Sequence, residues 1–128
     1  MKDTKFILPT APNRPISLNG GMSMPGWSDI MGLDADSAED AAGFNESAER
    51  IKALIQKEVE GGIPTKSILL GGFSQGGALA LHTSLRYPSP LAGCVALSSW
   101  LPLRKDYPAA LSPAAAAGLP VFQVTHTG

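Results

Sequence analysis

Five residues, Gly72-Phe73-Ser74-Gln75-Gly76, read G-x-S-x-G, a spacing that suits nucleophilic chemistry on an acyl group. The pattern describes a strand turning sharply into a helix, with the serine hydroxyl thrust out at the apex. Glycines two residues to either side leave room for the close backbone approach such a corner needs. The amide of Gln75, at the helix start, can then face a developing oxyanion. With 14 glycines and 12 serines among 128 residues, the bare pentapeptide arises by chance in roughly one such sequence in seven. Context gives it weight: the apolar run Ile68-Leu69-Leu70 precedes it and a helix-forming stretch follows. A glycine-rich structural or nucleotide-binding corner is the plainer alternative, but neither the G-x-G-x-x-G spacing nor a following P-loop lysine is present.

A nucleophilic serine needs a base and an orienting acid. His82 lies eight residues beyond Ser74 on the same expected helix, about 12 Å along its axis and out of reach. It reads as a structural or surface histidine. His126 follows the last expected strand, and Asp106 falls in a loop that periodicity does not place. The residues therefore supply a nucleophile without an identifiable base.

The elements around Ser74 alternate. Lys5 to Leu8 reads as a short strand stopped by Pro9, and residues 9 to 36, rich in Pro and Gly, as a long apolar loop. That loop carries Met22, Met24, Trp27, Ile30, Met31 and Leu33, which either cap the core or form a greasy wall beside a site. Ser37-Ala-Glu-Asp40 has capping-box spacing. It opens a helix whose apolar stripe is Phe44, Ala48, Ile51, Ile55 and Val59, ended by Gly61-Gly62 and Pro64. The nucleophile strand spans Ser67 to Gly71 and the second helix residues 75 to 86; strands follow at Leu91 to Leu97 and Leu119 to Val124. Residues 104 to 118 read as loop, with an alanine run at Ala114 to Ala117. The expected architecture is a doubly wound α/β layer, its parallel sheet covered on both faces and Ser74 at a strand's carboxyl end.

Length allows one small domain. The net charge of −1 makes no electrostatic case for nucleic acid or anionic membrane. Cys94, the only cysteine, reads as a buried structural thiol. Neither a signal peptide nor a membrane span is legible, so a reducing, cytoplasmic setting is expected.

Several separated segments carry a resemblance. They are Pro9-Thr-Ala-Pro-Asn-Arg-Pro15, Met24-Pro-Gly-Trp-Ser-Asp-Ile30, Ile51-Lys-Ala-Leu-Ile55, Gly61-Gly-Ile-Pro64, Ile68 to Ala78, and Ala96-Leu-Ser-Ser-Trp-Leu-Pro-Leu103. Together they resemble the acyl-protein thioesterase/lysophospholipase family of α/β-hydrolases, from about Lys5 to Gln123. The resemblance implies a three-layer fold with a mainly parallel central sheet. It implies removal of palmitoyl groups from protein cysteines, or hydrolysis of lysophospholipids and small esters, through an acyl-enzyme on Ser74. No metal or cofactor is implied. Gln75 carries over as an oxyanion amide, and Trp27, Trp100 and Leu101 resemble the walls of the family's acyl channel.

The family pattern also has an earlier His-Gly-Leu-Gly-Asp loop, and an Asp and a His towards its C-terminus. The present sequence starts after the first, and Gln123-Val-Thr-His-Thr-Gly128 departs from the second in spacing. Residues 1–128 are thus expected to be a partial α/β-hydrolase domain, incomplete at both ends and weak or inactive alone. The competing reading is a non-catalytic form that binds lipid or protein partners, with self-association through exposed sheet edges.

Overall fold

A computed structural model describes residues 3–34 and 37–124. Its centre is a parallel sheet of β3 (Leu69–Phe73), β4 (Gly93–Leu97) and β5 (Val121–Val124), in that order. The register sets Phe73 opposite Leu97 and Leu97 opposite Val124, so the three carboxyl ends lie side by side. Helix α2 (Gln75–Arg86) links β3 to β4, and the single turn α3 (Pro113–Ala116) precedes β5.

Helix α2 is buried through eight consecutive residues, Gly77 to Ser84, which marks it as an inner helix. On one side Ala78 and Leu79 pack against Phe44 and Ala48 of α1 (Ala41–Glu60). On the other, Ala80 and Leu81 pack against Cys94 and Ala96 of β4. The apolar stripe expected on α1 does this work, with Ile55 joining Tyr87 and Leu91 in a third cluster.

Both the capping and the ends of α1 follow simple rules. Asp40 is the N-cap, its carboxylate accepting from the Gly43 amide at 2.9 Å. The expected cap at Ser37 is corrected: its hydroxyl accepts from the Asp34 amide at 3.1 Å, closing a preceding turn. The other end stops at Gly61, followed by Gly62 in the left-handed region at φ 104°.

Two further expectations change. Lys5 to Leu8 forms no strand among the described residues; Phe6 and Leu8 stand 70% and 87% exposed, and without a partner the segment has no ladder to join. Residues 9 to 36 are not all loop, because β1 (Asn13–Ile16) pairs antiparallel with β2 (Met22–Pro25) around Gly20 and Gly21, both at positive φ. A two-stranded ribbon consists of two edges, so Pro15 and Pro25 are tolerated within it.

The α/β class stands, but the helices of the described residues lie on one face of the sheet, against Leu70, Cys94 and Ala96. The opposite face presents Leu69, Phe73, Leu97, Phe122 and Val124, each more than a third exposed. No helix among the described residues is long and apolar enough to cross a membrane.

Candidate active site

Ser74 joins β3 to α2 at φ 55° and ψ −120°, a conformation a non-glycine residue holds only under constraint. Its amide donates to the Leu97 carbonyl at 2.8 Å, tying the corner to the end of β4. Its carbonyl accepts the first helical bond, from the Ala78 amide at 3.0 Å. A serine in the N-cap position ordinarily turns its hydroxyl onto the helix amides. Ser74 makes no such bond, so its Oγ is not engaged in capping α2.

The glycines around it have unequal tasks. A Cβ on Gly72 would lie 2.2 Å from the Gly76 carbonyl carbon and 2.6 Å from the Gly77 nitrogen. One on Gly77 would meet the Ser99 Cβ at 2.8 Å, whereas at Gly76 it would meet nothing within 4 Å. The tight approach at the elbow thus belongs to Gly72 and Gly77; the second glycine of the motif does not take part.

Gln75 opens α2, where the first amides of a helix have no partner within it and can face an anion. Its side chain reaches elsewhere. Oε1 accepts from the Trp27 amide at 2.8 Å, and Nε2 donates to the Ser28 carbonyl and hydroxyl, both at 3.1 Å. The loop bearing Trp27 is thereby tied to the residue that follows Ser74. Sequence reasoning missed these bonds, which join residues 47 and 48 positions apart and leave no local signal.

The residues expected as walls divide. Trp27 packs over the Phe44, Ala48, Ala78 and Leu79 cluster, with the Arg50 guanidinium 5.6 Å above its ring. Trp100 is 42% exposed, while Leu101 turns inward onto Ala80, Leu81, Cys94 and Ala96. Their loop leaves β4 through Ser98, at φ 48°, and is tied back where the Leu103 amide donates to the Glu39 carboxylate at 3.0 Å.

Neither titratable group considered beside Ser74 is brought to it. His82 is 1% exposed, faces the Phe44 ring, and bonds through Nε2 to Asn45 Oδ1 at 2.9 Å. Burial, with Arg86 and Lys52 nearby, pushes its pKa down to about 4, so it is a neutral structural histidine and not a surface one. Asp106 pairs with Arg86 at 3.1 Å, at the far end of α2. His126 lies outside the described residues.

A family model described as Phospholipase/Carboxylesterase matches residues 1–127. An acyl-protein thioesterase 1 of Mycosarcoma maydis is 49% identical over 113 residues, covering 81% of this chain and 47% of that protein. One from Gibberella zeae is 50% identical over 112 residues, covering 84% and 48%. The chain therefore spans about half the length of these curated relatives. Among solved structures, Zea mays acyl-protein thioesterase 2 superposes with a TM-score of 0.78 at 31% identity, over 91% of this chain and 56% of that one. Arabidopsis thaliana SOBER1 superposes with a TM-score of 0.82 at 23% identity, over 94% and 72%, a likeness of fold.

Proposed function

The chain belongs to the phospholipase/carboxylesterase family and has an α/β-hydrolase fold, and from that premise we propose that it acts as a serine acyl hydrolase. Its substrates are fatty-acyl thioesters of the palmitoyl-protein kind or carboxylic esters such as lysophospholipids, met in a cytoplasmic setting. The observation that carries this reading is Ser74 itself, in a left-handed corner with its hydroxyl left out of helix capping.

Chemically, Ser74 Oγ attacks the acyl carbonyl, and its proton passes through solvent to the departing sulfur or oxygen as the new carbon–oxygen bond forms and the old acyl bond breaks. The carbonyl oxygen becomes an oxyanion towards which the Gln75 amide donates. Collapse expels the thiol or alcohol and leaves an acyl-enzyme, which water hydrolyses to the free acid, restoring the serine. Trp27 and Trp100 serve as apolar walls for the acyl chain, while Leu101, packed onto Ala80, Leu81, Cys94 and Ala96, anchors the Trp100 loop to the core. His82 is engaged by Asn45 and Asp106 by Arg86, so neither is assigned as base or acid.

The test is labelling by a fluorophosphonate probe, comparing the chain with its Ser74→Ala variant. Labelling that vanishes in the variant supports an activated Ser74; no labelling of the folded chain sinks the catalytic reading. The second reading, a non-catalytic form that binds lipid, protein or itself, is favoured by the exposed apolar sheet face of Leu69, Phe73, Leu97, Phe122 and Val124. Sedimentation with and without lipid vesicles tests it; a monomer that ignores vesicles counts against it.

A further inference from the structure

The Trp27 loop is fastened at every residue from Gly26 to Asp29. Gly26 donates to the Pro12 carbonyl at 3.0 Å and accepts from Arg14 Nε at 2.9 Å, both on the hairpin side. The Trp27 carbonyl accepts from the Ser47 hydroxyl, and the Asp29 amide donates to the Asp40 carboxylate at 2.8 Å, both towards α1. Among the described residues, only the Gln75 carboxamide bonds this loop to the nucleophile's own helix.

We propose that the Gln75 side chain is a positioning residue that sets the Trp27 loop in register with Ser74, and so governs which acyl chains the site accepts. This rests on the serine-hydrolase reading given above. The carboxamide fits the task by its chemistry. It offers one acceptor, taken by the Trp27 amide, and donors, shared by the Ser28 carbonyl and hydroxyl. A carboxylate would turn a lone pair onto the Ser28 carbonyl, an ammonium would have nothing for the Trp27 amide, and asparagine is one methylene short. Helix initiation demands none of this, because a first helical position accepts many residue types. Nor does the loop depend on Gln75 for its own fold, since the hairpin and α1 anchors remain without it. What the carboxamide adds is the distance between the indole and the elbow. Arg50 lies above the indole and the Phe44, Ala48, Ala78 and Leu79 cluster beneath it, so the carboxamide's part is to fix the backbone that carries the ring.

The test uses the full chain carrying Gln75→Met, which keeps the volume and removes the three bonds. Folding is verified by circular dichroism. Labelling rates of Ser74 by a hexadecyl and an ethyl fluorophosphonate are compared in the otherwise unaltered chain. The long-to-short rate ratio is expected to fall about tenfold, the scale set by losing a net hydrogen bond or two at a positioned wall. In a Trp100→Phe background, which leaves Trp27 as the single indole, acrylamide quenching of Trp27 is expected to rise. Gln75→Glu separates positioning from plain stabilisation: its quenching should be high at neutral pH and fall on acidification. A protonated carboxyl again offers a donor to Ser28 and an acceptor to Trp27.

An unchanged ratio together with unchanged quenching in folded Gln75→Met overturns the proposal. So does Gln75→Glu quenching that ignores pH, which also decides the matter if Gln75→Met does not fold. If neither probe labels the parent chain, the hydrolase reading fails, and Trp27 quenching alone decides whether the clamp exists.

Discussion

Replacing Gly72 by alanine tests the elbow at its tightest point. The new methyl would stand 2.2 Å from the Gly76 carbonyl carbon, 2.3 Å from its oxygen and 2.6 Å from the Gly77 nitrogen. Ordinary contact begins near 3.4 Å, so the first turn of α2 would have to retreat by about 1 Å or more. It has no space to retreat into, because α2 is packed between α1 and the sheet. The obstacle is backbone, which cannot change rotamer, so the cost should reach or exceed the upper end of the ~1–3 kcal/mol seen for overpacking. Gly76→Ala carries the opposite sign. Its methyl meets nothing within 4 Å and sits inside a helix, where alanine gains roughly 0.5–1 kcal/mol over glycine. Two glycines of one motif should therefore differ by about 3 kcal/mol or more in urea titrations followed by circular dichroism. Gly72→Ala should also slow fluorophosphonate labelling of Ser74 by about a hundredfold, the penalty for an ångström of misplacement. Equal midpoints for the two variants, or parental labelling by folded Gly72→Ala, would refute the steric account.

Asp40→Ala removes the α1 cap and the acceptor for the Asp29 amide together; it should cost about 1–2 kcal/mol or more by urea titration, and Asp40→Asn much less. The unfolded chain protonates His82 near pH 6.5 and the native chain only near pH 4. Acidification through that window thus favours unfolding: the contribution is complete above pH 6.5 and lost as pH falls towards 4, at up to about 1.4 kcal/mol per pH unit. Urea midpoints between pH 4 and 7 should show that slope, and His82→Gln should flatten it. Burial raises the Cys94 thiol above its ordinary value, so iodoacetamide at pH 8 should modify it only after urea unfolds the chain; fast alkylation of the native chain would contradict its placement.

What was legible in the sequence is what local pattern encodes. The glycine-flanked run at Ser74 announces β3 and α2, and the three-to-four spacing of Phe44, Ala48, Ile51 and Ile55 announces the buried stripe of α1. Asp40 was harder, because Ser37 also has capping-box spacing and only tertiary contacts with Arg14 and Asp29 favour the later residue. The β1–β2 hairpin was hidden by its prolines, although Gly20-Gly21 was the available sign. The Gln75 clamp could not be read at all. Its polar side chain at a helix start looks like any solvated residue until a loop 47 positions earlier arrives beside it.

The strained residues carry the last step. Among the described residues, three non-glycine residues have positive φ: Ser74, Ser98 and Leu103. Ser74 and Ser98 directly follow β3 and β4, and Phe73 pairs with Leu97, so the two strained corners are neighbours along the sheet's carboxyl edge. Each costs on the order of 1–3 kcal/mol and persists only where its surroundings determine it. Here the surroundings are the next strand in each case. The Ser74 amide is held by the Leu97 carbonyl at 2.8 Å, and the Ser98 amide by the Val124 carbonyl at 2.6 Å. Each corner is thus clasped by the strand beside it, from β3 to β4 to β5. Disturbing the end of β5 should therefore reach Ser74 through Ser98 and Leu97, although β5 does not pair with β3.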